Sequence, residues 1–353
     1  MRVKKEIICI LLMATAMLLS ACSSDNTEVQ VVTTGEEPPV TRQVQVIAYA
    51  PLYTEKVSSS RAAPNGFSAY TPDKTTAMGI YMLLPDDWSD PKEEKVIYNN
   101  NKWHAYFNVE ANKTYTVYGY LPKTEDMSST LAKSTADAAT LTINNIKPVT
   151  TDDICIFTGV NETDTGLKEG KFSWFIANAN DNFFMYLLLD HLYASVNFNL
   201  KIHGDYAQLR TIKLKTMTLS ANKASVNAQV TLTHNTEGTT PITAVSYTSG
   251  GTSCEAQIFN DAKGQALSSM TPIAVSACFA PTLSGSLTLV STYDVYDSQG
   301  NLIRVNCSAT NKIPNLNASR GQRVQLNLTV NPTYLYVLSD PDLDNPTVTF
   351  IDN

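Results

Sequence analysis

The sequence predicts an all-β protein built as two β-sandwich domains in tandem with few short helices, and three observations lead there. Apolar residues alternate with polar ones in many short runs, clusters of turn-forming residues separate those runs, and no long amphipathic segments lie between them to act as helical crossovers. The full chain of 353 residues is longer than a single hydrophobic core usually serves, so two domains are the default. The boundary is placed near residue 188, with a first domain over 42–188 and a second over 189–353.

The chain opens with Arg2, Lys4 and Lys5 ahead of an apolar run over 7–19. That run is too short to span a bilayer as a helix and reads as an export signal over 1–21. It ends in Leu19-Ser20-Ala21-Cys22, which resembles the lipobox at which bacterial lipoproteins are cut before a cysteine and acylated on it. Cys22 then becomes the first residue of a mature chain attached to the outer membrane by lipid, firmly so when more than one acyl chain is present. Residues 22–41 hold Asp25, Asn26, Glu36, Glu37, Pro38 and Pro39 without hydrophobic period, the composition of a tether.

Beyond the tether, Val44, Val46, Ala48 and Ala50 mark one face of a first strand, and Tyr115, Val117, Gly119 and Leu121 mark another. Residues 129–139 are rich in alanine and are expected to make a short helix, while 182–193 fits helix or strand. The clearest strand begins the second domain, with Ala194, Val196, Phe198, Leu200 and Ile202 interleaved by Ser195, Asn197, Asn199 and Lys201. Further strands are expected over 211–219 and 228–233. Those over 287–296 and 302–307 form a hairpin across Asp297-Ser298-Gln299-Gly300-Asn301. Val324, Leu326, Leu328 and Val330 alternate until Asn331-Pro332, where the run is expected to break. Two last strands are expected over 334–338 and 347–351.

Charge and composition exclude several functions. With 26 basic and 33 acidic residues the chain carries −7, and loss of 1–21 makes the remainder more acidic. Scattered basic residues on an acidic chain do not bind a phosphate backbone, so nucleic acid is not a partner. No nucleophile elbow, zinc-protease helix or comparable catalytic motif is present, so no enzymatic role is expected. His191 and His203, beside Asp190 and Asp205, read as structural histidines at strand ends. Asp340-Pro341-Asp342-Leu343-Asp344-Asn345 opens like a calcium loop, but Asn345 replaces the turn glycine and Ile351 the final glutamate, which leaves an acidic surface turn.

Cys155, Cys254, Cys278 and Cys307 allow three pairings in an oxidising compartment. Cys155 reads as a buried small hydrophobe, and a bridge between Cys278 and Cys307 stays open. The four histidines are distant from one another in sequence, so neither a metal site nor a cofactor is expected. Trp88, Trp103, Tyr106, Phe107, Trp174 and Phe175 concentrate aromatic rings in the first domain. They serve either as core or as a sugar-stacking surface.

The lipobox, an early strand followed by an arginine, and the run His191-Leu192-Tyr193-Ala194-Ser195-Val196-Asn197-Phe198 together resemble the fimbrillin family, the subunits of type V pili. The closing stretch over 321–333 is also similar to that family's C-terminal region. The resemblance implies two transthyretin-like sandwiches and a lipidated precursor cut after an arginine by a trypsin-like protease, which removes the lipid and the first strand. Here the cut falls after Arg61, with Arg42 as the alternative, and 42–61 are removed on maturation. Strand exchange would then involve the seat of Val44, Val46 and Ala48 and a donor strand carrying Val348 and Phe350, which reads equally well as the ordinary last strand of its own domain. The implied partners are other pilin subunits, and the implied role is adhesion at the cell surface, as stalk, tip or anchor. A glycan-binding surface lipoprotein is the alternative.

Overall fold

The computed structural model describes residues 40–353 except 56–66, 85, 110–112, 136–137, 161–174, 177–183, 234–241, 284–286, 314–315, 334–341 and 352–353. The export signal, Cys22, Arg61, Trp174 and the strand expected over 334–338 lie outside the described residues. The rest is all-β with little helix, as the alternation requires.

In chain order the strands are β1 (Val40–Pro51), β2 (Thr54–Glu55), β3 (Phe67–Tyr70), β4 (Thr76–Leu83), β5 (Glu94–Asn99), β6 (Lys102–Val109) and β7 (Thr114–Leu121). They continue with β8 (Ser128–Lys133), β9 (Ala138–Ile146), β10 (Val149–Thr150), β11 (Cys155–Val160), β12 (Phe175–Ile176), β13 (Phe184–His191) and β14 (Ala194–Ile202). After one helical segment, α1 (Gly204–Leu209), come β15 (Arg210–Ala221), β16 (Ser225–Thr233), β17 (Ile242–Gly250), β18 (Cys254–Ala266) and β19 (Ile273–Phe279). The chain closes with β20 (Leu287–Asp297), β21 (Leu302–Ile313), β22 (Gln322–Thr333) and β23 (Asp342–Ile351).

The first lobe closes on itself. β1 pairs with β6, then β5, β4, β7, β11 and β13 follow in turn, and β13 returns to β1 in parallel register. Closure satisfies backbone groups that an open sheet leaves at its edges. Val44, Ala48, Ile80, Phe107, Val117 and Leu187 fill the interior. In β7 the alternation predicted Tyr115, Val117 and Leu121 on one face, and these three join that interior. Tyr118 and Tyr120 on the other face are equally buried, because β4 and β7 also wall a second core. A side chain at Gly119 would meet the Phe157 ring and the Gly79 carbonyl at 2.3 Å, so close strand packing requires glycine there.

That second, larger core is enclosed by three sheets. β10, β19, β14, β22 and β2 form one, with β23 also on β22; β18, β15, β20 and β21 form another; β17, β16, β9 and β8 form the third. The boundary expected near residue 188 is therefore crossed: β8 and β9 precede it, yet β9 pairs with β16 and buries Leu141 and Ile143 in the larger core.

Two local expectations are corrected, and a third, open between helix and strand, is decided. Within the alanine-rich stretch, residues 129–133 and 138–139 are strand, because Leu131 and Ala139 face a core and alternation outweighs alanine's weak helical preference. Residues 184–191 settle as strand, paired on both flanks by β1 and β11. β22 does not break at Asn331-Pro332: the β23 ladder shifts register between Asn331 and Thr333, so the proline, which has no N–H, falls at the irregularity.

Candidate functional site

β1 is the strand on which ring closure depends, and its side chains divide as strand geometry requires. Val44, Ala48 and Ala50 are buried in the first core, whereas Val46 is half-buried. Fully burying a valine contributes roughly 1.5–3 kcal/mol, so Val44 holds the strand more firmly than Val46. The backbone changes partner midway. Val40–Val44 run antiparallel to Val109–Ala105 of β6, Gln45–Tyr49 run parallel to Phe184–Leu188 of β13, and Ala48–Pro51 take up β3. Where β1 leaves β6, a hollow of about 690 Å³ opens, lined by Arg42, Val46, Ala48, Tyr70, Tyr98 and Trp103.

The end of β1 is fixed by a buried polar cluster. The Pro51 carbonyl accepts a hydrogen bond from His191 Nε2 at 2.9 Å, and the Tyr53 ring stacks on the His191 imidazole with centroids 3.8 Å apart. Tyr53 donates its hydroxyl hydrogen to Asp153 Oδ1 at 2.6 Å, and its oxygen lies 3.5 Å from Cys278 Sγ. Asp153 Oδ2 is 2.9 Å from His191 Nδ1, and Cys155 Sγ lies 3.8 Å from the same nitrogen. Thr54 then continues into β2, its N–H and hydroxyl both bonded to the carbonyl of Gly321, whose φ of +68° suits glycine.

Burial governs the protonation of this cluster. It pushes Tyr53 far above the phenol range, with the Asp153 charge adding to the effect, drives the Cys155 thiol well up, and raises Cys278 to about 12. Burial opposes charge on His191, but the hydrogen bonds to Asp153 and the Pro51 carbonyl and the charges of Asp153 and Asp190 together outweigh it and raise the imidazole above its ordinary value. Next to it, buried Asp190 accepts a hydrogen bond from Arg320 at 2.8 Å.

The structure distributes the residues singled out in the sequence as follows. Arg42 lies within the β1 ladder opposite Phe107 and is half-buried, so a protease reaches it only by pulling the strand loose. Val348 is buried, and β23 pairs through Val348 with Val330 and through Phe350 with Leu328, the position of an ordinary last strand. Cys155, Cys254, Cys278 and Cys307 are all unpaired. His203 is exposed, 3.9 Å from an exposed Asp205, and Asp344 ion-pairs with Arg210. Trp103 and Phe107 belong to the first core, and Trp88 is partly buried against Tyr118. The convergence of Asp153, Cys155 and His191 was missed in the sequence. His191 is far from both in the chain, and only the antiparallel register of β11 with β13, which sets Cys155 opposite His191, brings them together.

No family model and no characterised protein matches the sequence. Among solved structures, a candidate cell adhesion protein from Bacteroides fragilis NCTC 9343 is 11% identical, with a TM-score of 0.40 over 88% of this chain and 98% of that one. A fimbrial protein from Bacteroides vulgatus ATCC 8482 is 13% identical, with a TM-score of 0.32 over the same shares of the two chains. The fimbrial anchor protein Mfa2 from Porphyromonas gingivalis is 12% identical, with a TM-score of 0.27 over 86% and 95%. Likeness at this level transfers no role, so the functional argument rests on the chain's own residues.

Proposed function

We propose that this chain is a pilus subunit, exported as a precursor lipidated on Cys22, that assembles when β1 is removed and a strand from a neighbouring subunit takes its place. The observation that carries the reading is that the first described strand closes the ring of the first lobe while its partners β6 and β13 lie far along the chain. No tight hairpin ties β1 to either. Its loss uncovers the edges of both, together with the apolar seat of Val44 and Ala48. Unsatisfied backbone groups beside an apolar groove favour addition of a strand, with main-chain bonds supplying affinity and alternate side chains supplying register. A trypsin-like cut after Arg61 would release β1 and also β2, which occupies β22 through Gln322 and Arg323 on the edge that β23 continues.

β23 is the donor in this reading. Its one backbone ladder among the described residues is with β22, so leaving its own lobe breaks that ladder and the side-chain bonds that Arg210, Tyr293 and Asn311 make to Asp344, Pro346 and Val348. Val348 and Phe350 then enter the groove vacated by Val44 and Ala48 in the next subunit. Repetition of that heterologous contact builds a filament at the cell surface. The glycan-binding alternative calls for a row of exposed rings, and among the described residues Tyr106 alone is an exposed large aromatic.

The test is limited digestion of the exported chain with a trypsin-like protease. The expected product begins at Ala62, forms oligomers, and stays monomeric when 347–353 are deleted. A product that keeps β1, or remains monomeric with its C-terminus intact, overturns the proposal.

A further inference from the structure

We propose that Asp153, Cys155 and His191 form a binding site for a zinc-class divalent ion at the point where β1 leaves the first lobe. One ligand atom from each residue converges, all within 4.8 Å of one another. Tetrahedral zinc, with bonds of about 2.0–2.3 Å, sets its ligands roughly 3.3–3.7 Å apart. The separations of 2.9 Å from His191 Nδ1 to Asp153 Oδ2 and 3.8 Å from Nδ1 to Cys155 Sγ each need an adjustment of a few tenths of an ångström, and the carboxylate-to-thiol separation, within 4.8 Å, must close by up to about 1 Å.

The surroundings are those of a ligand set. Because the Pro51 carbonyl can only accept, His191 Nε2 must carry its hydrogen, which turns Nδ1 towards the carboxylate and the thiol. A carbonyl holding the far nitrogen in this way is the usual support of a metal-bound histidine. Tyr53 donates to Asp153 Oδ1, and both carboxylate oxygens lie close to Nδ1, Oδ2 at 2.9 Å and Oδ1 at 3.1 Å. Charge also balances. A divalent ion, a neutral imidazole, a thiolate and a carboxylate sum to zero, so a bound ion places no net charge in the interior.

Access is provided from the side of Asp153, whose side chain is 29% exposed. It borders a cavity of about 420 Å³ lined also by Tyr70, Asp73, Lys74, Leu121 and Asp152. That cavity can deliver the ion and a water for the fourth position. The set of one sulfur, one nitrogen and one oxygen suits zinc or cobalt and not magnesium or calcium, which take oxygen ligands.

The experiment titrates Co²⁺ into the reduced full chain and follows the thiolate-to-cobalt charge-transfer absorption. One Co²⁺ per chain is expected, displaced by one equivalent of Zn²⁺ and unaffected by Mg²⁺. Cys155→Ser abolishes the band, whereas Cys254→Ser and Cys307→Ser keep it; Asp153→Asn, altered at a part-exposed position, binds at least about tenfold more weakly. Circular dichroism verifies that each variant is folded. A folded wild-type chain without the band, or a band that survives Cys155→Ser, overturns the proposal. If Cys155→Ser does not fold, the wild-type titration and Asp153→Asn decide the matter.

Discussion

Tyr53 joins several partners at the end of β1, and each does separate work. Its ring covers the imidazole of His191 and lies beneath the Arg323 guanidinium at 5.1 Å, while its hydroxyl satisfies Asp153. Tyr53→Ala is expected to destabilise the chain by about 3–5 kcal/mol, through lost packing and the cavity left behind. Tyr53→Phe keeps the ring and should cost about 1–2 kcal/mol, the consequence of removing one of the two donors that face Asp153. Urea unfolding midpoints check both, and equal losses would show that the hydroxyl alone matters. None of this was legible in the sequence, where Tyr53 stands in no pattern and His191 reads as a structural histidine at a strand end. The structure gives His191 the partners of such a histidine and adds a thiol, which the spacing along the chain conceals.

Among the elements, β1 was legible in existence but not in role. The alternation of Val44, Val46, Ala48 and Ala50 marked it as a strand, yet the sequence does not disclose that Val46 is the weaker member of the set. Because β1 changes partner after Val44, Val46 borders the hollow where the strand has left β6. Val44→Ala is therefore expected to cost about 1–2 kcal/mol and Val46→Ala about half as much, read from thermal or urea unfolding. β14 and the β20–β21 hairpin were legible for a simpler reason, since strict alternation beside turn residues leaves one register that buries the apolar face. β8 was hidden by its small polar residues and the alanines that follow it, whose local preferences are too weak to oppose the cross-strand contacts of β9.

At the scale of the whole molecule, sequence order and spatial order part company. The hairpin of β8 and β9 crosses to the larger core, and β14 lies parallel to a strand more than a hundred residues later. Pairings so distant leave no periodic trace, which is why a boundary at 188 looked natural and why ring closure through β1 could not be read. The same distance gives the architecture its proposed use, since a strand without a local hairpin can depart while the remaining ladders of the ring persist. Hydrogen exchange on the backbone of β6 over Ala105–Val109 and β13 over Phe184–Leu188 tests this most directly. In the precursor the amides of these segments that point towards β1 should be protected; after cleavage at Arg61 and removal of the freed peptide those amides should exchange quickly in the monomer, and protection should return on polymerisation. Amides of that set that stay protected in the isolated cleaved monomer, or stay unprotected in the polymer, would contradict the replacement of β1 by a neighbour's strand.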